Sequence, residues 1–269
     1  MRYGVIADVH GNLHALEAAV ARLRSDGVDR FLCAGDLVGY GPYPNQCVEL
    51  VAGLEAVTVA GNHDLIAIGR LSDDDCIRLA RETLAWTRRV LSDDARAFLG
   101  RLPRRVQIDD RLVMAHGSLD DPQRYIRHAP EAAEQLDRLG AGWPSSRLLI
   151  LGHTHRARAW TAGGHTLPLR SNGSLPLPGV ERRLLNPGAV GQSRERLARS
   201  RFMLLDLERR QATFYALPYD VRACRAALRQ NGLPSDSHHL SPAKLAVGAR
   251  RLRALARSHA HRARASRLV

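Results

Sequence analysis

RYGVIADVHGN, residues 2–12, is the stretch that decides the fold. Residues 2–8 are short and apolar and predict a buried strand, which then breaks into polar residues and Gly11. A helical pattern follows at once, with Leu13, Leu16, Ala19, Val20 and Leu23 on one face and Gly27 past its end. Residues 30–34 predict a second strand, 44–51 a helix and 56–60 a third strand. The first third of the chain therefore alternates strand and helix, the pattern of an α/β sheet with helices packed on its face.

Working outward, residues 73–100 predict helix throughout, with the acid-rich starts DDD at 73–75 and SDD at 92–94. Strand patterns then crowd at 106–108, 112–115, 148–151, 157–161, 166–169, 182–185, 202–206 and 212–216, with one helix at 131–139. Such close spacing predicts hairpins, and so a second, partly antiparallel sheet. Asp220 caps a helix running to Gln230, and Ser241-Pro242 opens a last helix over 243–263. The expected division is a body over 1–219 and a basic, Arg-rich helical extension over 220–269.

The composition, 45% hydrophobic and 25% charged over 269 residues, is that of a globular chain. Its net charge of +13 is unevenly placed. Residues 221–269 hold 11 basic groups and one acid, Asp236, leaving +3 for residues 1–220. Lys244 is the one lysine among 40 basic residues. The tail could bind nucleic acid through charge alone. No aromatics interleave its arginines, so a solvated helical face is the favoured reading. Four cysteines (Cys33, Cys47, Cys76 and Cys224) lack disulfide or zinc spacing. No apolar stretch reaches the roughly 20 residues of a membrane span, and no signal peptide opens the chain, so a cytoplasmic protein is expected.

Five segments carry the chemistry: Asp8-Val9-His10, Gly35-Asp36, Gly61-Asn62-His63-Asp64, Ala115-His116-Gly117 and Gly152-His153-Thr154-His155. Each follows an apolar run and adjoins a glycine that permits a tight loop. Asp8 and His10 sit two apart, so on an extended backbone they would point the same way and grip one ion; His153 and His155 repeat the spacing. Mixed imidazole and carboxylate donors suit Mn, Fe, Zn or Ni better than Mg or Ca. Seven donors exceed one tetrahedral site and suit two ions about 3.5–4 Å apart, with Asp36 as the candidate bridge.

In this order the segments resemble the calcineurin-like metallophosphoesterase superfamily, over residues 5–155. The flanking GDLVGYGPYPNQC and NPGAVGQSR (186–194) look like its small prokaryotic phosphodiesterase branch. The resemblance implies a four-layer αββα sandwich of two mixed sheets flanked by helices. It implies two divalent ions, Mn foremost: one held by Asp8, His10, Asp36 and His155, the other by Asp36, Asn62, His116 and His153. His63 would stand by the leaving group with Asp64 orienting its ring. After Asp36 the chain reads Leu37-Val38-Gly39-Tyr40-Gly41, without the Asp-Arg pair of the protein phosphatase branch.

The implied reaction is attack of a metal-bridging hydroxide on the phosphorus of a phosphodiester, with nucleotides or cyclic nucleotides as the expected small substrates. The alternatives are a phosphomonoesterase, a dinucleoside polyphosphate hydrolase, or an inactive scaffold of the same fold. Arg194, Arg124 and Arg127 are candidate phosphate anchors. Asn12 is expected to cap the first helix, with substrate contact as a second role. Oligomeric state is left open by the sequence.

Overall fold

The computed structural model describes residues 1–242. The helix expected over 243–263 lies outside the described residues. In chain order the elements are β1 (Arg2–Ile6), α1 (Leu13–Ser25), β2 (Arg30–Cys33), α2 (Pro44–Gly53), β3 (Val57–Thr58) and α3 (Asn62–Ala67). Then come α4 (Arg78–Val90), α5 (Asp93–Arg101), β4 (Arg105–Ile108), β5 (Leu112–Ala115), α6 (Ala129–Gly142) and β6 (Leu148–Ile150). The last are β7 (Arg158–Thr161), β8 (Gly173–Pro176), β9 (Arg183–Asn186), β10 (Ser200–Asp206), β11 (Gln211–Leu217) and α7 (Val221–Gln230).

Two mixed sheets stack face to face. One has the order β3-β2-β1-β10-β11-β8, the other β4-β5-β6-β9-β7. β1 shows how the alternation of side chains builds the layers. Tyr3, Val5 and Ala7 join Met114, Leu148 and Ile150 between the sheets, while Ile6 joins Leu16, Leu23 and Val51 under the helices. Gly4 also faces the helices, where a Cβ would come within 3.0 Å of Leu23 Cδ1. On the outer face of the second sheet, Val113, Leu149 and Trp160 pack on Leu136 and Leu139 of α6. Helix, sheet, sheet, helix: the four layers are those the sequence implied.

Some elements differ from the sequence reading. Residues 73–100 form two helices, because Leu91 turns extended and Ser92 caps α5 by accepting from the Ala95 N–H. Residues 73–77 stay outside α4, with Asp73 paired to Arg88 at 3.1 Å. The expected strand at 166–169 makes only a Trp160–Thr166 bridge, since Pro168 has no N–H to give a ladder. β8, which the sequence reading did not include, pairs with β11. β10, β11 and β8 join the first sheet rather than a separate late one, with β10 antiparallel to β1.

What this topology does for function is concentrate strand ends. β1 runs parallel to β2, β2 to β3, and β5 to β6. The five segments therefore leave the same edge of the sandwich, at the carboxyl ends of parallel strands, where α/β folds place their clefts.

Candidate metal centre

The loops past these strand ends are cross-stitched by backbone hydrogen bonds. Asp8 N donates to Gly35 O (3.0 Å), His10 N to Asp36 O (2.9 Å), Gly191 N to Asp8 O (3.0 Å) and Gly152 N to His116 O (2.8 Å). Asp8, His10, Asp36, His153 and His155 all take positive φ, between 49° and 64°. That overturns the extended geometry expected of the two D-x-H-like spacings. A left-handed conformation costs a non-glycine residue about 1–2 kcal/mol, so five such residues at one edge mark strain held in place by the surrounding fold.

The result is two clusters that share one carboxylate. Asp8, His10, Asp36 and His155 converge, and so do Asp36, His116 and His153, all buried, with ligand atoms within 4.8 Å of one another in each group. Asn62, at the start of α3, adds its Oδ1 3.1 Å from His116 Nε2. His153 and His155, two apart in sequence, go to different clusters because the left-handed turn splays them.

Hydrogen bonding fixes which ring nitrogens face inward. The Nδ1 atoms of His10, His116 and His155 lie 3.0, 2.7 and 2.7 Å from the carbonyls of Val38, Ala34 and Gln192, and a carbonyl can only accept. Each Nδ1 therefore carries the proton; the neutral rings of His10 and His155 turn a lone pair on Nε2 toward the centre, while His116 Nε2 points at Asp36 Oδ2, 3.2 Å away. His10 Nε2 and His155 Nε2 lie 3.1 Å apart, an arrangement of two lone pairs that a cation between them resolves. Asp8 Oδ2 is buried with no hydrogen-bond partner, and Asp36 Oδ2 meets only imidazole Nε2 atoms, His116 at 3.2 Å and His10 at 3.5 Å. Buried carboxylate oxygens met by nothing but imidazoles suit a divalent metal site, and the residues fit one.

The electrostatics of the centre follow from burial and from the pairing of these groups. Burial pushes Asp8 up to about 7, against the attraction of His116. Burial acts the same way on Asp36, but His116, His63 and His10 outweigh it and hold that carboxyl well below its ordinary range. Burial also lowers His10, His153 and His155 far below an ordinary histidine. His116 is the exception: burial opposes protonation, yet the Asp36 carboxylate raises it to about 9.

His63 lies against this centre, its ring 4.7 Å from that of His10 and 4.9 Å from that of Tyr40. Its Nδ1 is buried without a partner, and a Cβ at Gly39 would meet that atom at 2.5 Å. Asp64 does not orient this ring. Its carboxylate accepts from four backbone N–H groups instead: Asp36 (2.8 Å), Leu37 (2.8 Å), Val38 (3.2 Å) and Gly61 (2.9 Å). It shapes the loop that carries Asp36. Asn12 caps α1 as expected, accepting from Ala15 N, and donates to Gly191 O at 2.8 Å. Arg124 is engaged by Glu134.

A cavity of about 200 Å³ opens beside Asn62, His63 and His153. Its lining also holds Tyr125, Arg127 and Arg194, the apolar Ile77, Ala80 and Leu240, and one carboxylate, Asp75. Leu240 was not foreseen in the sequence. It arrives because Ser237 donates to Tyr40 O (2.8 Å) and Leu240 N to Ser193 O (2.9 Å), which returns the segment after α7 to the site. No helix among the described residues is long and apolar enough to cross a membrane.

Comparison with known proteins agrees with this geometry. Residues 1–210 match the model of the calcineurin-like phosphoesterase superfamily domain. A metallophosphoesterase from Sphaerobacter thermophilus is 34% identical, with 88% of this chain and 96% of that one covered and a TM-score of 0.76. A hypothetical protein from Pyrococcus horikoshii shares the fold at 18% identity and a TM-score of 0.70, over 88% and 95% of the two chains. An uncharacterised protein of Methanocaldococcus jannaschii is 28% identical over 233 residues, 86% of this chain and 93% of its own. The chain belongs to the calcineurin-like phosphoesterase superfamily.

Proposed function

We propose that the chain is a dimetal phosphodiesterase acting on a small nucleotide-like phosphodiester. The observation that carries this reading is the pair of ligand clusters sharing Asp36, set against a cavity that His63 and Arg194 line. Asp8, His10, Asp36 and His155 hold one ion, and Asp36, Asn62, His116 and His153 hold the other, Mn²⁺ being the first choice for assay. When bound, two such ions supply an activated water and Lewis acidity toward the phosphoryl oxygens.

The chain's own residues do the rest. Arg194 stands at the cavity with its guanidinium 3.4 Å from Tyr125 Oη and 3.3 Å from Gln192 Oε1, paired to no carboxylate among the described residues, and so is free to engage a phosphoryl oxygen. His63 supplies the proton to the departing oxygen. Burial lowers it to about 4 in the metal-free chain, helped by the charges of Arg194 and His116 and opposed by Asp36, so its ring is neutral until an anion enters. The apolar side chains of Ile77, Ala80 and Leu240 suit the organic part of the ester.

The test is turnover of a bis-aryl phosphodiester by Mn²⁺-loaded protein, with metal content measured alongside. Wild type should bind two equivalents and turn over. His63→Ala should keep the metal and lose about 10²–10⁴-fold in rate, the usual size of acid catalysis. Asp36→Ala should lose both. A fully loaded wild type with no turnover of mono- or diesters would instead favour the inactive scaffold.

A further inference from the structure

A second, larger cavity of about 480 Å³ adjoins the first and shares Tyr125, Arg127 and Arg194 with it. Arg156 and Arg158 complete its lining of four arginines, with Thr154 beside them. No carboxylate lines it, and among the described residues no ion pair engages any of the four guanidinium groups. Glu195, which shares a neighbouring hollow with Arg158, is taken by Arg201 at 3.0 and 2.5 Å. Four guanidinium groups around one cavity repel each other unless an anion sits among them.

Tyr125 lines both cavities. Its ring lies on that of His153 with centroids 3.9 Å apart, and Arg127 covers it at 4.0 Å. Arg194 stands 6.0 Å from the same ring. A ligand at the metal cluster thus has, in the adjoining cavity that Tyr125 also lines, four arginines with no carboxylate among the lining.

Resting on the phosphodiesterase reading above, we propose that the substrate carries a second phosphoryl group, apart from the one that is cleaved. Arg127, Arg156 and Arg158 bind it, and these arginines set the preference for polyphosphorylated over singly phosphorylated esters. Arg156 and Arg158 are exposed and lie beyond the metal ligands, so they select substrate through its retained end.

The experiment compares kcat/KM for a 5′-phosphorylated dinucleotide and the same dinucleotide without that phosphate. One charge-assisted contact to phosphate is worth roughly a factor of ten, so wild type should favour the phosphorylated form at least that much. In the double variant Arg156→Gln/Arg158→Gln the ratio should fall to about one, the loss appearing in KM. No preference in wild type, or a preference that survives in the variant, overturns the proposal. A further rise with longer oligonucleotides upholds it and assigns the second phosphate to a strand; no such rise assigns it to a small nucleotide. A second arm needs no turnover: calorimetry of inorganic pyrophosphate on chelator-treated protein should show binding about tenfold weaker in the variant. Equal affinity overturns the arginine site. Failure of the bis-aryl assay with weakened pyrophosphate binding overturns only the catalytic reading.

Discussion

Asp36 is fixed by its neighbours before any cation arrives. Asp64 gathers the backbone around it, and a Cβ at Gly61 would lie 2.1 Å from Asp36 Oδ1 and 2.3 Å from its backbone nitrogen. Two substitutions separate architecture from chemistry here. Gly61→Ala should displace the shared carboxylate, abolish metal uptake and cost about 1–3 kcal/mol, read as metal content and thermal midpoint. Asp64→Asn puts an amide where four N–H groups need acceptors, and an unmet buried donor costs about 1–3 kcal/mol. It should therefore lower the midpoint and the metal content together. A normal midpoint with reduced kcat alone would return Asp64 to a role on the His63 ring. The Asp and His residues that converge here were legible in the sequence, because Asp or His beside glycine after an apolar run is a residue-level signature. The left-handed backbone at Asp8 and His10 was not, since nothing in the side chains of those residues announces φ.

Among the elements, helices and central strands followed from apolar periodicity, whereas the short edge pieces did not. TLPL at 166–169 alternates like a strand yet carries a proline, and GSLP at 173–176 looks like a turn yet finds a partner in β11. The segment after α7 had no periodic signal, because it is held by a short bridge to Ser193 and by lone hydrogen bonds to Tyr40 and Glu195. Within it His238 is 4% exposed and its Nδ1 lacks a partner. Burial, with the nearby His239 and Arg225 charges, lowers it from 6.5 to about 4, and the Ser235 backbone and Asp236 oppose this only partly. A depressed histidine resists protonation in the fold while the unfolded chain accepts it near 6.5, so its contribution is full above that pH and drains away as pH falls toward 4. Thermal midpoints across this window should drop more steeply for wild type than for His238→Gln; parallel curves would show that the ring titrates freely.

At the scale of the molecule, the metal-binding reading has a thermodynamic consequence. The clusters bury an unpartnered Asp8 oxygen and the facing lone pairs of His10 and His155, so a cation that binds only the folded chain stabilises it. Mn²⁺ at a hundred times its dissociation constant should add about 2.7 kcal/mol for one site, a rise of several degrees in midpoint that chelator reverses. An unmoved midpoint in the presence of Mn²⁺ would show that the clusters do not take it. The basic cavity belongs to this scale as well. Arg127, Arg156 and Arg194 come from loops far apart in sequence, and no local pattern foretells that they meet.

The pairing of β1 with β10, Val5 opposite Met203 and Arg2 opposite Asp206, also governs how the protein comes to exist. During synthesis the first strand must wait for nearly two hundred more residues before its second neighbour leaves the ribosome. Until then one of its edges is bare, an invitation to pair with a strand of another chain. The lid over Asp8, formed by Gly191, arrives only shortly before. A chain broken off before residue 200 would thus keep Gly191 over Asp8 yet leave one edge of its first strand open to other chains.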